Sequence, residues 1–400
     1  MKAFYVDADW APKPAYKLSK REKETKTSAR GSSIWRNINA AIVERPMPKI
    51  KPDEVLLKVG AAGICGTDVH LLQMDEDGYT RYDGHSKYPI IIGHEFSGEV
   101  VELGKTVKSL KIGDLVSVES MNWCGECSAC RMGMFNQCEN LEEPGLTFDG
   151  GFAEYTAIKA KYCYLLNDIA KLQNSKMTAL ELGAMVEPIG VAYNGLFVRG
   201  GGIRPGGHVV VFGAGPIGLA AISLMKTSGA AKLICFETKE ERIKLALNMG
   251  ADYVFNPIKL AKDKIDASEM LMDLTDGRGV ALFAECSGAT VDNYPIIQGA
   301  LAIGGKAIQI GHTIGHTIGK TNIDFYPFQF KAAMISGSNG QSGHGIYSDV
   351  IALMASSRID MLKMVTARLH LEDIEYGIEQ AGRGAVGKVL VSMLYEKMEK

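Results

Sequence analysis

The chain is expected to be an α/β protein, with a doubly wound parallel sheet in its second half and a β-rich first half. Three observations predict this. From His208 to Ser336, strand-like and helix-like stretches alternate, as in parallel strands joined by crossover helices. A glycine motif, Gly213-Ala214-Gly215-Pro216-Ile217-Gly218, sits between the first of those strands and its helix. Earlier in the chain, short apolar runs are interrupted by Pro46, Pro48 and Pro52 and by Gly104 and Gly113, which fits short strands joined by turns.

At 400 residues the chain is long enough for two domains. Apolar residues make up 46% and charged residues 22%, ordinary for a globular protein. The net charge of −2 argues against a nucleic-acid surface or a polybasic membrane patch. Residues 1–7 carry no signal-type apolar run, and no window approaches the ~18 apolar residues of a membrane span. A cytoplasmic location is therefore expected, where thiols stay reduced. Eight cysteines in that setting point to metal or catalysis before disulfides.

In chain order, Lys2–Val6 reads as a strand. Residues 13–30 hold seven basic residues against Glu22 and Glu24, and read as a solvated insertion; the alternative is a subunit contact or a cleft rim. Glu54–Val59 is a strand leading into Gly63-Ile64-Cys65-Gly66-Thr67-Asp68-Val69-His70, where glycines allow a tight turn. A polar loop follows, and then Gly93-His94-Glu95. Thiolate, imidazole and carboxylate are zinc ligand types, and a catalytic zinc takes three and leaves one position open. Cys65, His94 and a glutamate can supply them. Taken singly, a buried cysteine is more often a small hydrophobe.

Cys124, Cys127, Cys130 and Cys138 form a C-x2-C-x2-C-x7-C run. Four thiolates close a tetrahedral shell with no open position, so a zinc here is structural; an iron–sulfur cluster is the rival. Thr178–Met185 and Val191–Val198 read as helices on either side of Val186-Glu187-Pro188.

His208–Phe212 is an apolar strand, and Leu219–Lys226 a helix. Gly213, Gly215 and Gly218 make G-x-G-x-x-G in its strand–turn–helix setting, where free N–H groups favour a pyrophosphate. The next strand, Lys232–Phe236, ends at Glu237, where an acid binds a ribose diol. Alternation continues with helices over 239–248, 258–274 and 292–301 and strands over 253–255, 280–285, 306–310 and 333–336. His312 and His316, in a small repeat over 311–318, read as loop residues and not as ligands. The tail from Met361 returns to strand, helix and strand.

This order of motifs resembles the zinc-dependent medium-chain alcohol dehydrogenases over nearly the whole chain. The Cys65–His70 and Gly93–Phe96 stretches look most like the threonine and sorbitol dehydrogenase branch. The resemblance implies a GroES-like catalytic domain (1–190 and 341–400, with a zinc lobe at about 120–140) and a Rossmann domain (191–340). It implies two Zn²⁺ per chain and NAD. Cys65 and His94 match catalytic zinc ligands, Glu95 the third ligand, and Glu187 a carboxylate that replaces it or holds the zinc-bound water. Thr67 matches the hydroxyl that takes the substrate proton, and His70 the relay to solvent. Asp68 is read as structural. Ile217, Glu237 and Arg242 match cofactor contacts, as do Ile310, Gly311 and Ser336 to Ser338.

The basic insertion and a longer loop at 73–89 depart from the family pattern and leave the substrate open. A charge- and hydroxyl-rich loop suits a polyhydroxylated small molecule, with a polyol or an inosose-like cyclitol first. Threonine comes second, its charges met by Asp75, Arg81 or Lys87. A homo-oligomer, dimer or tetramer, is expected, with no nucleic-acid or membrane partner. The rivals are a zinc-free reductase of the same fold and a non-catalytic dinucleotide sensor; Cys65, His94 and Glu187 together argue against the first, and the Thr67–His70 pair against the second.

Overall fold

The computed structural model describes residues 1–312, 321–384 and 386–398; His316 lies outside them. The chain divides into two compact units. One comprises Met1–Glu187, Val365–Arg383 and Lys388–Lys400; the other comprises Pro188–Met364 and Gly384–Gly387. Residues 341–364, expected with the catalytic domain, fall in the second unit. The reason is the helix Ile346–Ala355, whose Ile346, Tyr347, Val350 and Met354 are buried there, with Ile346 beside Gly190.

The first unit is built mainly of antiparallel strands. Its larger sheet runs in the order Val365–His370, Lys388–Ser392, Glu54–Gly63, Glu95–Leu103, Leu115–Val118, Cys163–Leu165, and Tyr155–Lys159 also pairs with Glu54–Gly63. A smaller sheet joins Trp35–Glu44, Lys2–Trp10 and Ile90–Ile91. The central strand Glu54–Gly63 is buried at nine of ten positions, so it reads as a near-continuous apolar run.

The second unit holds six parallel strands: β1 (His208–Phe212), β2 (Lys232–Phe236), β3 (Tyr253–Phe255), β4 (Val280–Glu285), β5 (Leu301–Gln309) and β6 (Met334–Gly337). Their order across the sheet is β3-β2-β1-β4-β5-β6, that of a dinucleotide-binding fold. Phe212 stacks on Phe236 and Phe283, with centroids 5.1 and 6.1 Å apart, which knits three neighbouring strands on one face.

Two expected helices take different forms. The stretch 258–274 is two helices, Pro257–Lys262 and Ala267–Leu274. Asn256 and Asp266 cap each start, and Lys264 in a left-handed conformation breaks the run between them. Conversely, the helix Lys176–Tyr193 continues through Pro188. Proline removes one backbone donor, but Ala184, Met185, Val186 and Ile189 are fully buried around it, and packing overrides local preference.

The basic stretch is not a simple solvated face. It contains a short helix, Lys20–Thr25, closed at its start by Ser19 and Glu22 in a reciprocal cap. Glu22 is buried and accepts hydrogen bonds from Tyr16 Oη (2.8 Å) and the Ala29 amide (3.0 Å). Among the described residues, no helix is long and apolar enough to cross a membrane.

Candidate active site and metal centres

The central strand ends at Gly63, and the helix Gly66–Leu72 begins immediately after Cys65. Asp68 ties this start together: its Oδ2 accepts the Cys65 amide at 2.8 Å. Thr67 and His70 are three residues apart and so share a helix face. Both are partly exposed, while Asp68, Val69 and Leu71 are buried. The neighbouring strand begins at Glu95, in register with Gly63. This pairing brings Cys65, His94 and Glu95 together, with one ligand atom from each within 4.8 Å of the others. Gly63 is required at the junction, since a Cβ there would lie 2.2 Å from Glu95 Oε2.

The surroundings polarise this cluster. His94 Nδ1 lies 3.7 Å from Asp68 Oδ1, and neither atom has a hydrogen-bond partner. Burial opposes a charge on His94, but Asp68 and then Cys65 hold its pKa well above the usual imidazole range. Burial raises Asp68 to about 6, and His94 acts against that rise. The fully buried Lys388 ammonium meets Glu95 Oε2 at 2.5 Å and the Ile64 carbonyl at 3.1 Å. Glu187, on the helix Lys176–Tyr193, is buried, and its Oε1 accepts from Ser120 Oγ at 3.0 Å. Its charge also raises the pKa of His94. A thiol, an imidazole and a carboxylate with ligand atoms within 4.8 Å of one another fit a zinc ion, and the charge of Glu187 acts on the same histidine. The two orphaned atoms make the same point: a ligating histidine characteristically turns its second nitrogen toward a carboxylate.

Asp68 and Lys388 are the members of this site that reading the sequence did not assign. Asp68 stands one residue beyond Thr67, so its position carried a signal. Lys388 is 293 residues from Glu95, and no local pattern joins them.

The four-cysteine run folds into a separate cluster. Its ligand sulfurs lie within 4.8 Å of one another, with Cys124–Cys138, Cys127–Cys138 and Cys124–Cys130 at 3.5, 3.8 and 4.0 Å. A tetrahedral shell with Zn–S of about 2.3 Å places sulfurs about 3.8 Å apart, so the spacing fits. Backbone amides of Glu126 and Cys127 point at Cys124 Sγ and hold its thiol down to about 6. Burial instead raises Cys130. Trp123 packs on Phe135 and Tyr162 at the base of the lobe.

In the second unit, the helix Pro216–Thr227 starts at Gly215 with no side-chain cap, leaving amide donors free for an anion. Gly213 has a positive φ of 86°, and a Cβ at Gly218 would sit 1.8 Å from the Gly213 carbonyl oxygen. Glu237, at the end of β2, accepts the amides of Ala214 (2.7 Å), Thr238 (2.7 Å) and Lys239 (2.9 Å). Its carboxylate is thereby fixed beside the glycine turn. Arg242 donates from Nε to the Val386 carbonyl at 3.1 Å, and its Nη1 lies near Gly215; burial lowers its pKa, against the opposing charge of Glu237. Ile217 is half-buried beside the turn and Ile310 is buried. A Cβ at Gly311 would meet the Gly288 amide nitrogen at 2.6 Å. Ser338 Oγ accepts from Asn194 at 3.2 Å, whereas Ser336 makes only a long hydrogen bond to the Gly337 carbonyl.

A dinucleotide fold joined to a Cys–His–Glu pocket and a four-cysteine lobe defines a class. Residues 51–168 match the family model of the alcohol dehydrogenase GroES-like domain, and residues 216–356 that of the zinc-binding dehydrogenases. The chain belongs to the zinc-binding medium-chain dehydrogenases and is an oxidoreductase acting on CH–OH groups. It is 42% identical to a scyllo-inosose 3-dehydrogenase of Thermotoga maritima over 94% of this chain and 95% of that one. It is 36% identical to an L-threonine 3-dehydrogenase of Pyrococcus horikoshii, over 88% and 94%. The solved structure of a candidate alcohol dehydrogenase from Thermotoga maritima superimposes with a TM-score of 0.91 at 39% identity, covering 98% of this chain and 99% of that one.

Proposed function

We propose that this enzyme uses zinc and NAD to oxidise a secondary hydroxyl of a polyol or cyclitol to a ketone, with inosose-like compounds first. The observation that carries the chemistry is the Cys65–His94–Glu95 cluster at the start of the helix bearing Thr67 and His70. Cys65 and His94 hold the ion, with Glu95 or Glu187 as the third ligand. Lys388 competes for Glu95 through its 2.5 Å contact; one thiolate and one carboxylate already neutralise Zn²⁺, so the second carboxylate is free to exchange. A zinc ion bound there supplies the positive charge that stabilises the substrate oxygen as it loses its proton. Thr67 takes that proton, and His70, one turn on and partly exposed, passes it toward solvent. Gly213, Gly215, Ile217 and Gly218 seat the dinucleotide, with Glu237 and Arg242 at the ribose and Ile310, Gly311, Ser336 and Ser338 further along. NAD contributes the hydride acceptor. Cys124, Cys127, Cys130 and Cys138 hold the second, structural zinc.

The inosose dehydrogenase similarity supports the cyclitol reading, and the threonine dehydrogenase similarity keeps threonine second. Of the charges offered to threonine, Asp75 is already bound to Lys13 (3.2 Å) and to the amides of Asp77 and Tyr79, which disfavours that reading. Competitive kinetics over cyclitols, polyols, threonine and short alcohols, read as NADH formation, tests it. A cyclitol or polyol is expected to give the highest kcat/KM, and a win for threonine or a short alcohol overturns the substrate assignment.

A further inference from the structure

The loop 73–89 and the segment 13–30 fold together on the helix that carries Thr67 and His70. From inside, Thr80 Oγ1 donates toward the carbonyls of His70 and Leu71 at 3.1 and 3.0 Å, and it also accepts the Tyr82 amide at 3.2 Å. From outside, Arg30 grips Asp83 through two hydrogen bonds (3.1 and 2.8 Å), and Lys13 pairs with Asp75 at 3.2 Å. Gly31 N donates to Gly84 O at 3.0 Å, and the Ser28 and Ser86 hydroxyls meet at 2.9 Å. The loop is therefore fixed with respect to the catalytic helix.

What it presents there is unusually polar and uncommitted. The Tyr82 phenol makes no hydrogen bond to any described residue, and it is not sealed from solvent. Burial acts on this phenol first, and after it the nearby groups Glu143, Cys65, Tyr88 and Asp68. The Glu143 side chain is nine-tenths buried, and among the described residues its carboxylate accepts no hydrogen bond; His85 Nδ1 lies 3.6 Å from its Oε2. Neither Glu143 oxygen is among the buried polar atoms that lack a partner, so both are open to the hydroxyl hydrogens of a ligand. Burial, aided by the charge of Glu143, keeps the Tyr82 phenol protonated, so it can donate as well as accept.

We propose that Tyr82 and the Glu143–His85 pair are the specificity determinants that grip the non-reacting hydroxyls of the substrate. This rests on the polyol or cyclitol reading above and adds the residues that enforce it. A vicinal diol matches the set: one hydroxyl donates to Glu143, and the next pairs with the Tyr82 phenol. The insertion at 13–30 serves as the outer brace of this recognition loop.

The test uses the zinc-loaded enzyme with Tyr82→Phe and Glu143→Gln. Each is expected to raise KM for the best cyclitol or polyol about tenfold or more. Turnover of a small secondary alcohol with no other hydroxyl, such as propan-2-ol, should stay within twofold of wild type. Thermal midpoints of both variants check that the fold persists. If either variant fails to fold, Tyr82→Trp and Glu143→Asp replace them with the same expectation. Unchanged KM values in folded variants, or equal losses on both substrates, overturn this inference and leave the substrate reading intact. A wild-type enzyme that oxidises threonine and no polyol overturns both.

Discussion

Asp68 sits behind His94 with its Oδ1 3.7 Å from Nδ1, and its other oxygen holds the Cys65 amide. One carboxylate thus orients two ligands. Partners of this kind are worth 10–100-fold in metal affinity, so Asp68→Ala should weaken the catalytic zinc by that factor. Competition with a chelator, read separately from the four-cysteine zinc, checks it. Lys388 gives a second prediction. Removing the ammonium in Lys388→Met strands Glu95, itself 1% exposed, as a buried unpaired charge. Breaking such a pair costs about 3–5 kcal/mol, which denaturant unfolding of the variant will show as a lower midpoint. Asp68 was within reach of the sequence, being part of the Cys65–His70 motif. Lys388 was not: strand pairing across 293 residues creates its contact with Glu95.

At the level of elements, the four-cysteine lobe and the glycine turn are the clearest units. The lobe's sulfurs are spaced for one ion and its aromatic base is small, so metal supplies much of its cohesion. Cys127→Ser should lower the metal content from two zinc ions per chain to one and reduce thermal stability, while activity persists in the surviving fold. Elemental analysis beside a melting curve reads both, and a wild-type content of one zinc or fewer contradicts the assignment. In the glycine turn, Glu237 is immobilised by three amides. A fixed carboxylate accepts from a ribose diol and repels a 2′-phosphate, so kcat/KM with NAD should exceed that with NADP. Equality or reversal would mean that Arg242 governs the pocket. The helix over 176–193 shows where element-level reading reaches its limit: proline rules predict an interruption at Pro188, and burial of its neighbours carries the helix through.

Considered as a whole, the molecule leaves apolar side chains in water near one edge of its parallel sheet. Ile303 on β5 and Phe325, Tyr326 and Phe330 beside it are 88, 70, 67 and 76% exposed, and among the described residues β6 pairs in the sheet with β5 alone. Exposed apolar clusters and open strand edges are characteristic of interfaces. A homo-oligomer, dimer or tetramer, is therefore expected, and sedimentation velocity should show no monomer at micromolar concentration. Phe330→Glu should shift the distribution toward monomer.

The chain's own order of residues determined the chemistry-bearing parts. Cys65, Thr67, His70, the four-cysteine run and the glycine motif are local in sequence, because tight turns, helix starts and metal knuckles are made by neighbours. The alternation from His208 onward likewise fixed a doubly wound sheet, since its period depends on burial of each strand in turn. Tertiary structure alone decided the rest. It brought Lys388 to Glu95, placed residues 341–364 with the second unit, and turned a basic stretch into the brace of a loop through Arg30–Asp83 and Lys13–Asp75. Each of these depends on contacts between residues distant in the chain, which no local pattern of residues encodes.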